Sequence, residues 1–337
     1  MSSLIIRTID AHAAGEPLRL VVEGFPSPPG RTMAEKREWV TRHADGLRRS
    51  LLLEPRGHAD MCGAVLTEPV SPGAHAGVLF FDNDGCSVMS GHGVIAVATI
   101  ALERGLMMPG GDGTAIVFDT PAGVVRTNAT VRTDAAGAVR VERVSFVNVP
   151  SFVLLAGLAI QTGNRRLRAD VAYGGAFYAI VDCEAAGVVI DAAHVPELRR
   201  TGVAIKRAIE GAHAVAHPFE PSISGVEGTI FTGPAHEEGA DLRNLAVFAD
   251  GEIDRSPCGT GTSAVMAVLD AMGLLDGERP FVQESIIGTR ISGRVASRTT
   301  VGDYPAVVTE IEGDAWITGD HTFSVDDGDP LKEGFRL

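Results

Sequence analysis

Two strings far apart in the chain share one pattern: Ser90-Gly91-His92-Gly93-Val94-Ile95-Ala96 and Cys258-Gly259-Thr260-Gly261-Thr262-Ser263-Ala264. Each reads as a hydroxyl or thiol residue, Gly, a polar residue, Gly, two further residues and Ala. Each leads into an apolar stretch that stops at a glycine: Val94 to Arg104 before Gly105, and Thr262 to Met272 before Gly273. Glycine just past the last turn is a natural helix stop. The first stretch is apolar on nearly every side, which predicts a buried central helix rather than a surface one. The repetition predicts two similar domains, each presenting one reactive side chain at the start of its central helix.

The intervening sequence reads mainly as strands. Leu18 to Val22 and Gly77 to Phe81 are strand-like runs, separated by Gly/Pro breaks such as Phe25 to Gly30 and Ser71 to Gly73, so the first third reads as sheet with few helices. Pro121 to Val149 alternates apolar and polar residues, and Leu198 to Ile209 has a helical pattern. A chain of 337 residues is long enough for two cores. We therefore expect an α+β protein with a boundary near residue 125: a first domain over 1–125, to which the C-terminal tail can return, and a second over 126–337. With 45% hydrophobic residues but only 5% aromatic, the cores must be built from Val, Ile, Leu and Ala.

The net charge of -14 opposes binding to nucleic acid or anionic membranes, both of which are held through clustered Lys and Arg. The start, MSSLIIRTIDAHAAGEP, has no basic segment leading into an apolar one, and no apolar run approaches the roughly 20 residues needed to span a bilayer. A cytoplasmic location is expected. Cys62, Cys86, Cys183 and Cys258 form no C-x-x-C pair, so no disulfide framework or metal knuckle is implied. The first three read as buried small hydrophobes.

The first turn of a helix carries unpaired N–H groups and the positive end of the macrodipole, so anions bind there. A substrate carboxylate fits the amides of Gly91, His92, Gly259 and Thr260. The same field predicts a lowered thiol pKa at Cys258, in the range of roughly 3.5 to 7.5, making it a base near neutral pH. Ser90 is suited to donating or relaying a proton, because a hydroxyl stays protonated without a neighbouring base. The two strings also contain G-x-G-x-x-A, but the apolar strand that a dinucleotide-binding turn requires is missing from both approaches. A pyridoxal-phosphate enzyme needs a lysine. Lys36 and Lys332 read as surface residues, and Lys206 as lying on the outer face of a helix.

Around these residues the sequence resembles the proline racemase family. The resemblance rests on Asp254-Arg255-Ser256-Pro257-Cys258-Gly259-Thr260-Gly261-Thr262, Ile9-Asp10-Ala11-His12, Gly15-Glu16-Pro17, Glu54-Pro55-Arg56-Gly57-His58 and Glu284-Ser285-Ile286-Ile287-Gly288-Thr289. It implies a diaminopimelate-epimerase-like fold of two pseudo-symmetric domains, strands wrapped about a central helix in each, with the substrate in a cleft between them. It implies no cofactor and no metal. It also implies that Ser90 and Cys258 face opposite sides of the substrate α-carbon, and that Asp254 and His92 hold the ring nitrogen. Read without the family, Asp254 is equally a turn residue or the partner of Arg255, and His92 and His58 are structural histidines.

Racemases of this family carry cysteine at both catalytic positions, whereas this chain has Ser90 at the first. Two-base racemisation asks each residue to act as a base in one direction, and serine is ill matched to that duty. Dehydration needs one base and one acid. Members with a Ser/Cys pair resemble dehydratases of trans-3-hydroxy-L-proline that also epimerise 4-hydroxyproline. The expectation is therefore a hydro-lyase acting on hydroxyproline as monomer or homodimer, with two alternatives: a 4-hydroxyproline 2-epimerase, or a non-catalytic amino-acid-binding protein. The assignment of base and acid between Ser90 and Cys258 is left open.

Overall fold

The computed structural model describes residues 3–107, 114–135, 137–163, 165–248, 251–275, 277 and 279–336. The chain divides into two units, one of Met1–Phe146 with Asp314–Leu337 and one of Val147–Gly313. The first contains β1 (Ser3–Ala13), β2 (Glu16–Glu23), α1 (Met33–His43), α2 (Asp45–Leu52), β3 (Gly63–Thr67), β4 (Ala76–Phe81), β5 (Cys86–Ser87), α3 (Gly91–Glu103), β6 (Ala115–Thr120), β7 (Gly123–Thr133) and most of β8 (Val139–Val147). The second contains β9 (Ser151–Thr162), β10 (Arg165–Tyr173), β11 (Phe177–Asp182), α4 (Cys183–Ala186), α5 (Val195–Ala212), β12 (Gly228–Pro234), β13 (Leu242–Phe248), β14 (Glu252–Ile253), α6 (Gly259–Ala271), β15 (Phe281–Glu284), β16 (Arg290–Val301) and β17 (Tyr304–Gly313). The chain then returns to the first unit as β18 (Ala315–Asp326), antiparallel to β1.

Strand pairing repeats between the units. In the first, β1 pairs antiparallel with β2, β2 parallel with β3, β3 and β5 antiparallel with β4, β4 parallel with β6, and β6 antiparallel with β7. In the second, β10 pairs antiparallel with β11, β11 parallel with β12, β12 and β14 antiparallel with β13, β13 parallel with β15, and β15 antiparallel with β16. The sequence therefore encodes the same α+β ladder twice, with α3 and α6 at equivalent places, each following a two-residue strand. Both helices are buried along most of their length, Gly91 to Leu102 in α3 and Gly259 to Val268 in α6, as their all-round apolar character requires.

The first unit extends past the boundary expected near residue 125. The physical reason lies at the end of α3, where Glu103 accepts from the amide of Val141 at 2.9 Å and pairs with Arg140 at 3.0 Å, tying β8 to this unit. The first third also holds more helix than its Gly/Pro breaks suggest. Helix α1 opens with a cap related to the capping box: Thr32 Oγ1 accepts from Glu35 N at 3.1 Å, and Glu35 reaches back past Thr32 to the amide of Arg31 at 2.6 Å. Met33 and Val40 of α1 and Leu51 and Leu52 of α2 then pack with Ile6, Val65, Leu79 and Phe81 in the core.

Two readings of single residues need correction. Lys36 is buried at 4% exposure rather than on the surface, because its ammonium donates to Thr67 Oγ1 at 3.2 Å and to the Glu68 carbonyl at 2.5 Å. Cys62, Cys86 and Cys183 are half-buried cysteines outside any disulfide rather than fully buried ones.

Candidate active site

Ser90 caps α3. Its backbone is extended (φ -135, ψ 116), and Oγ accepts from the amide of Gly93 at 3.1 Å while its carbonyl accepts from Val94 at 2.9 Å. The helix's own bonds thus begin at Gly93 and Val94, and the amides of Gly91 and His92 precede them, as the first N–H groups of any helix must. Ser90 Oγ also lies 3.3 Å from Nδ1 of His92, whose ring is buried at 4% exposure. This provides the neighbouring base that a serine hydroxyl needs in order to move a proton.

Cys258 caps α6 in the corresponding way, Sγ accepting from Gly261 N at 3.4 Å and its carbonyl from Thr262 N at 2.6 Å. Unlike Ser90, it sits at φ 61, a left-handed backbone that costs a non-glycine residue roughly 1–3 kcal/mol. The surroundings enforce that conformation. Asp254 Oδ1 accepts from Ser256 N at 2.8 Å, Ser256 Oγ accepts from Cys258 N at 3.1 Å, and Asn244 Nδ2 donates to the Pro257 carbonyl at 2.7 Å. Asp254 therefore does shape a turn, as its family-free reading allowed. Its other oxygen, Oδ2, is buried and meets no hydrogen-bond partner among the described residues. A cation is the natural complement of such an atom.

Glycine is required beside both capping atoms. A Cβ on Gly93 would stand 2.8 Å from Ser90 Oγ and 2.6 Å from the Phe80 ring, and one on Gly261 would stand 3.0 Å from Cys258 Sγ and 2.6 Å from Ile230 Cδ1. Close approach to the capping atom explains the second glycine of each G-x-G, Gly93 and Gly261.

The lowered thiol pKa expected at Cys258 is overturned. Burial pushes the thiol well above its ordinary value and the negative charge of Asp254 adds to this, while the Thr260 hydroxyl, the Gly261 amide and the Tyr178 hydroxyl counter only in part. At 3% exposure, loss of solvent outweighs the helix field.

Tyr178 was not legible as a site residue. Its hydroxyl lies 2.8 Å from Thr260 Oγ1 and 3.8 Å from Cys258 Sγ, and the thiol is 3.6 Å from Thr260 Oγ1, making a buried chain of three groups. Only its place on β11, the counterpart of β2, could have flagged it. His58 is exposed, with its ring on the neighbouring Ala59 carbonyl at 2.7 Å. In sum, the structure gathers Ser90, Gly91 and His92 at the start of α3, and Asp254, Cys258, Gly259 and Thr260 at the start of α6.

Residues 8–336 match the proline racemase family. The chain is 44% identical over 335 residues to the trans-3-hydroxy-L-proline dehydratase of Bacillus cereus, covering 99% of each protein. It is 42% identical over 333 residues to the 3-hydroxyproline 2-epimerase of Burkholderia multivorans, covering 98% of each. Among solved structures it is similar to a hydroxyproline epimerase from Agrobacterium vitis with bound trans-4-OH-L-proline, with a TM-score of 0.91 and 33% identity over 99% of this chain and 96% of that one. Among the described residues, no helix is long and apolar enough to cross a membrane.

Proposed function

Since this chain belongs to the proline racemase family, we propose that it removes water from trans-3-hydroxy-L-proline to give Δ1-pyrroline-2-carboxylate, with slower 2-epimerisation of trans-4-hydroxy-L-proline. The observation that carries this reading is chemical asymmetry: a half-buried hydroxyl next to an imidazole at one helix start, and a fully buried thiol at the other.

The stereochemistry of the substrate favours an unequal pair. In trans-3-hydroxy-L-proline the hydroxyl is trans to the carboxylate, so it shares a ring face with the α-hydrogen. One group on that face takes the α-proton, the C–H electron pair forms the C2–C3 double bond, the C3–O bond breaks, and the same proton leaves in the departing water. The enamine then tautomerises to the imine. Epimerisation needs a second group able to return a proton to the other face, and Ser90 does this only through His92.

In this proposal Cys258 takes the α-proton. Its thiol is held protonated before substrate arrives, and a substrate ammonium on Asp254 Oδ2 would cancel the charge that helps to hold it. The amides of Gly91, His92, Gly259 and Thr260 hold the carboxylate, and His92 assists at the ring nitrogen. The protein works without a cofactor, in the cytoplasm, as a monomer or homodimer.

Incubation with each hydroxyproline isomer in deuterated water tests this. Ketimine formation from the 3-hydroxy isomer is expected, faster than α-deuteration of the 4-hydroxy isomer. Epimer without ketimine would instead support a 4-hydroxyproline 2-epimerase, the reading favoured by likeness to the Agrobacterium vitis structure. Hydroxyproline binding with no turnover, unchanged in Cys258→Ala, would indicate a binding protein.

A further inference from the structure

The first unit brings three different metal-ligating groups together. Glu16 begins β2, Cys62 immediately precedes β3, and His92 lies in the first turn of α3. One ligand atom from each lies within 4.8 Å of the others, and Cys62 Sγ is 3.7 Å from Glu16 Oε1. Glu16 and His92 are buried at 1% and 4% exposure, while Cys62 is half-buried.

We propose that Glu16, Cys62 and His92 form a binding site for zinc or a similar borderline-soft divalent cation. Carboxylate, thiolate and imidazole together suit such an ion, whereas calcium and magnesium take oxygen ligands. Tetrahedral zinc with bonds of about 2.0–2.3 Å sets its ligand atoms roughly 3.3 to 3.6 Å apart. The Glu16–Cys62 separation is already close to this, and closing gaps of at most about 1.5 Å brings in the third ligand. Three protein ligands leave a fourth position open.

His92 already turns Nδ1 toward Ser90, so the ion takes Nε2. Ligation there fixes a proton on Nδ1, which then donates to Ser90 Oγ rather than accepting its proton. Metal binding is therefore inhibitory. That inhibition rests on the proposed role of His92, whereas binding of the ion does not. Because Cys62 must lose its proton to ligate, affinity rises with pH.

Cobalt(II) titrated into the full chain is the test. The expected result is one ion per chain, with near-ultraviolet thiolate-to-cobalt charge transfer and tetrahedral visible bands, both removed by added zinc. Cys62→Ala loses the charge-transfer band, as does Cys62→Ser, which keeps the side chain's size should the alanine variant fail to fold. Glu16→Gln weakens binding by about tenfold or more. Cys258→Ala abolishes turnover and retains the band, so failure of the metal site and failure of the functional reading are separable. Absence of the band at stoichiometric cobalt, its survival in Cys62→Ala, or its loss in Cys258→Ala overturns the proposal.

Discussion

The carboxylate of Asp254 reinforces what burial begins at Cys258: loss of solvent first, and the nearby negative charge second, hold the thiol in its protonated form. Asn in place of Asp254 leaves the burial and removes the charge, so the thiol of Asp254→Asn should ionise at lower pH than that of the parent. Thiolate absorbance followed against pH, with the matching Cys258→Ser protein subtracted, measures this, and coincident curves would contradict it. Turnover should fall about tenfold to hundredfold, the value of a hydrogen bond to a charged nitrogen at roughly 1.5–3 kcal/mol.

The same thiol makes stability depend on pH. Its folded pKa lies above the ordinary value of 9.0, so its contribution is complete below that value and is lost as pH rises beyond it. Between pH 8 and pH 10.5, roughly the window in which an unfolded thiol ionises, the parent's Tm should fall further than that of Cys258→Ala. Equal slopes would show that the buried thiol is not linked to folding.

Ser90→Cys replaces a very weak acid with a stronger one and should increase α-deuteration of trans-4-hydroxy-L-proline relative to ketimine formation from the 3-hydroxy isomer. Ser90→Ala should abolish epimerisation. Product ratios by proton NMR in deuterated water decide the matter, and an unchanged ratio in Ser90→Cys would count against the assigned asymmetry.

Gly174 lies against the first turn of α6, where an added Cβ would stand 2.2 Å from the Thr260 carbonyl and 2.7 Å from the Ala264 amide. Both are backbone atoms of a helix and cannot rotate aside. Gly174→Ala should cost about 3 kcal/mol, the upper part of the overpacking range. A chemical denaturation midpoint close to that of the parent would mean that the helix start yields easily.

In the first unit, Arg19 donates from Nη2 to Asp10 at 2.8 Å, from Nη1 to the carbonyls of Leu51 and Arg56 at 2.6 Å each, and lies 4.5 Å from the centre of the Phe323 ring. Asp10→Asn leaves that guanidinium buried without its counter-charge, which should cost roughly 3–5 kcal/mol. Loss of less than 1 kcal/mol by denaturant titration would show that the two carbonyls and the ring suffice.

The duplicated helix starts were legible because sequence alone shows a capping side chain, its glycines and an apolar run. The helices begin at Gly91 and Gly259 rather than inside the apolar runs, since Ser90 and Cys258 are themselves the caps. Helix α1 was masked by the proline-rich stretch before it, although Thr32 and Glu35 carried the signal. The protonated state of Cys258 could not be read at all, because desolvation depends on what β11 and the Asp254 turn place around the thiol. Tyr178 and Cys62 were missed for the same reason: their neighbours come from distant segments.

The final strand has a consequence for how the molecule is made. β1 lies between β2 and β18, and β18 is translated only after the whole of the second unit. The second unit, by contrast, is one uninterrupted stretch from Val147 to Gly313. On the ribosome that stretch is complete while β1 still has one edge open, so the unit begun first is closed only after the other is complete, and the nascent chain carries an exposed strand edge until β18 emerges.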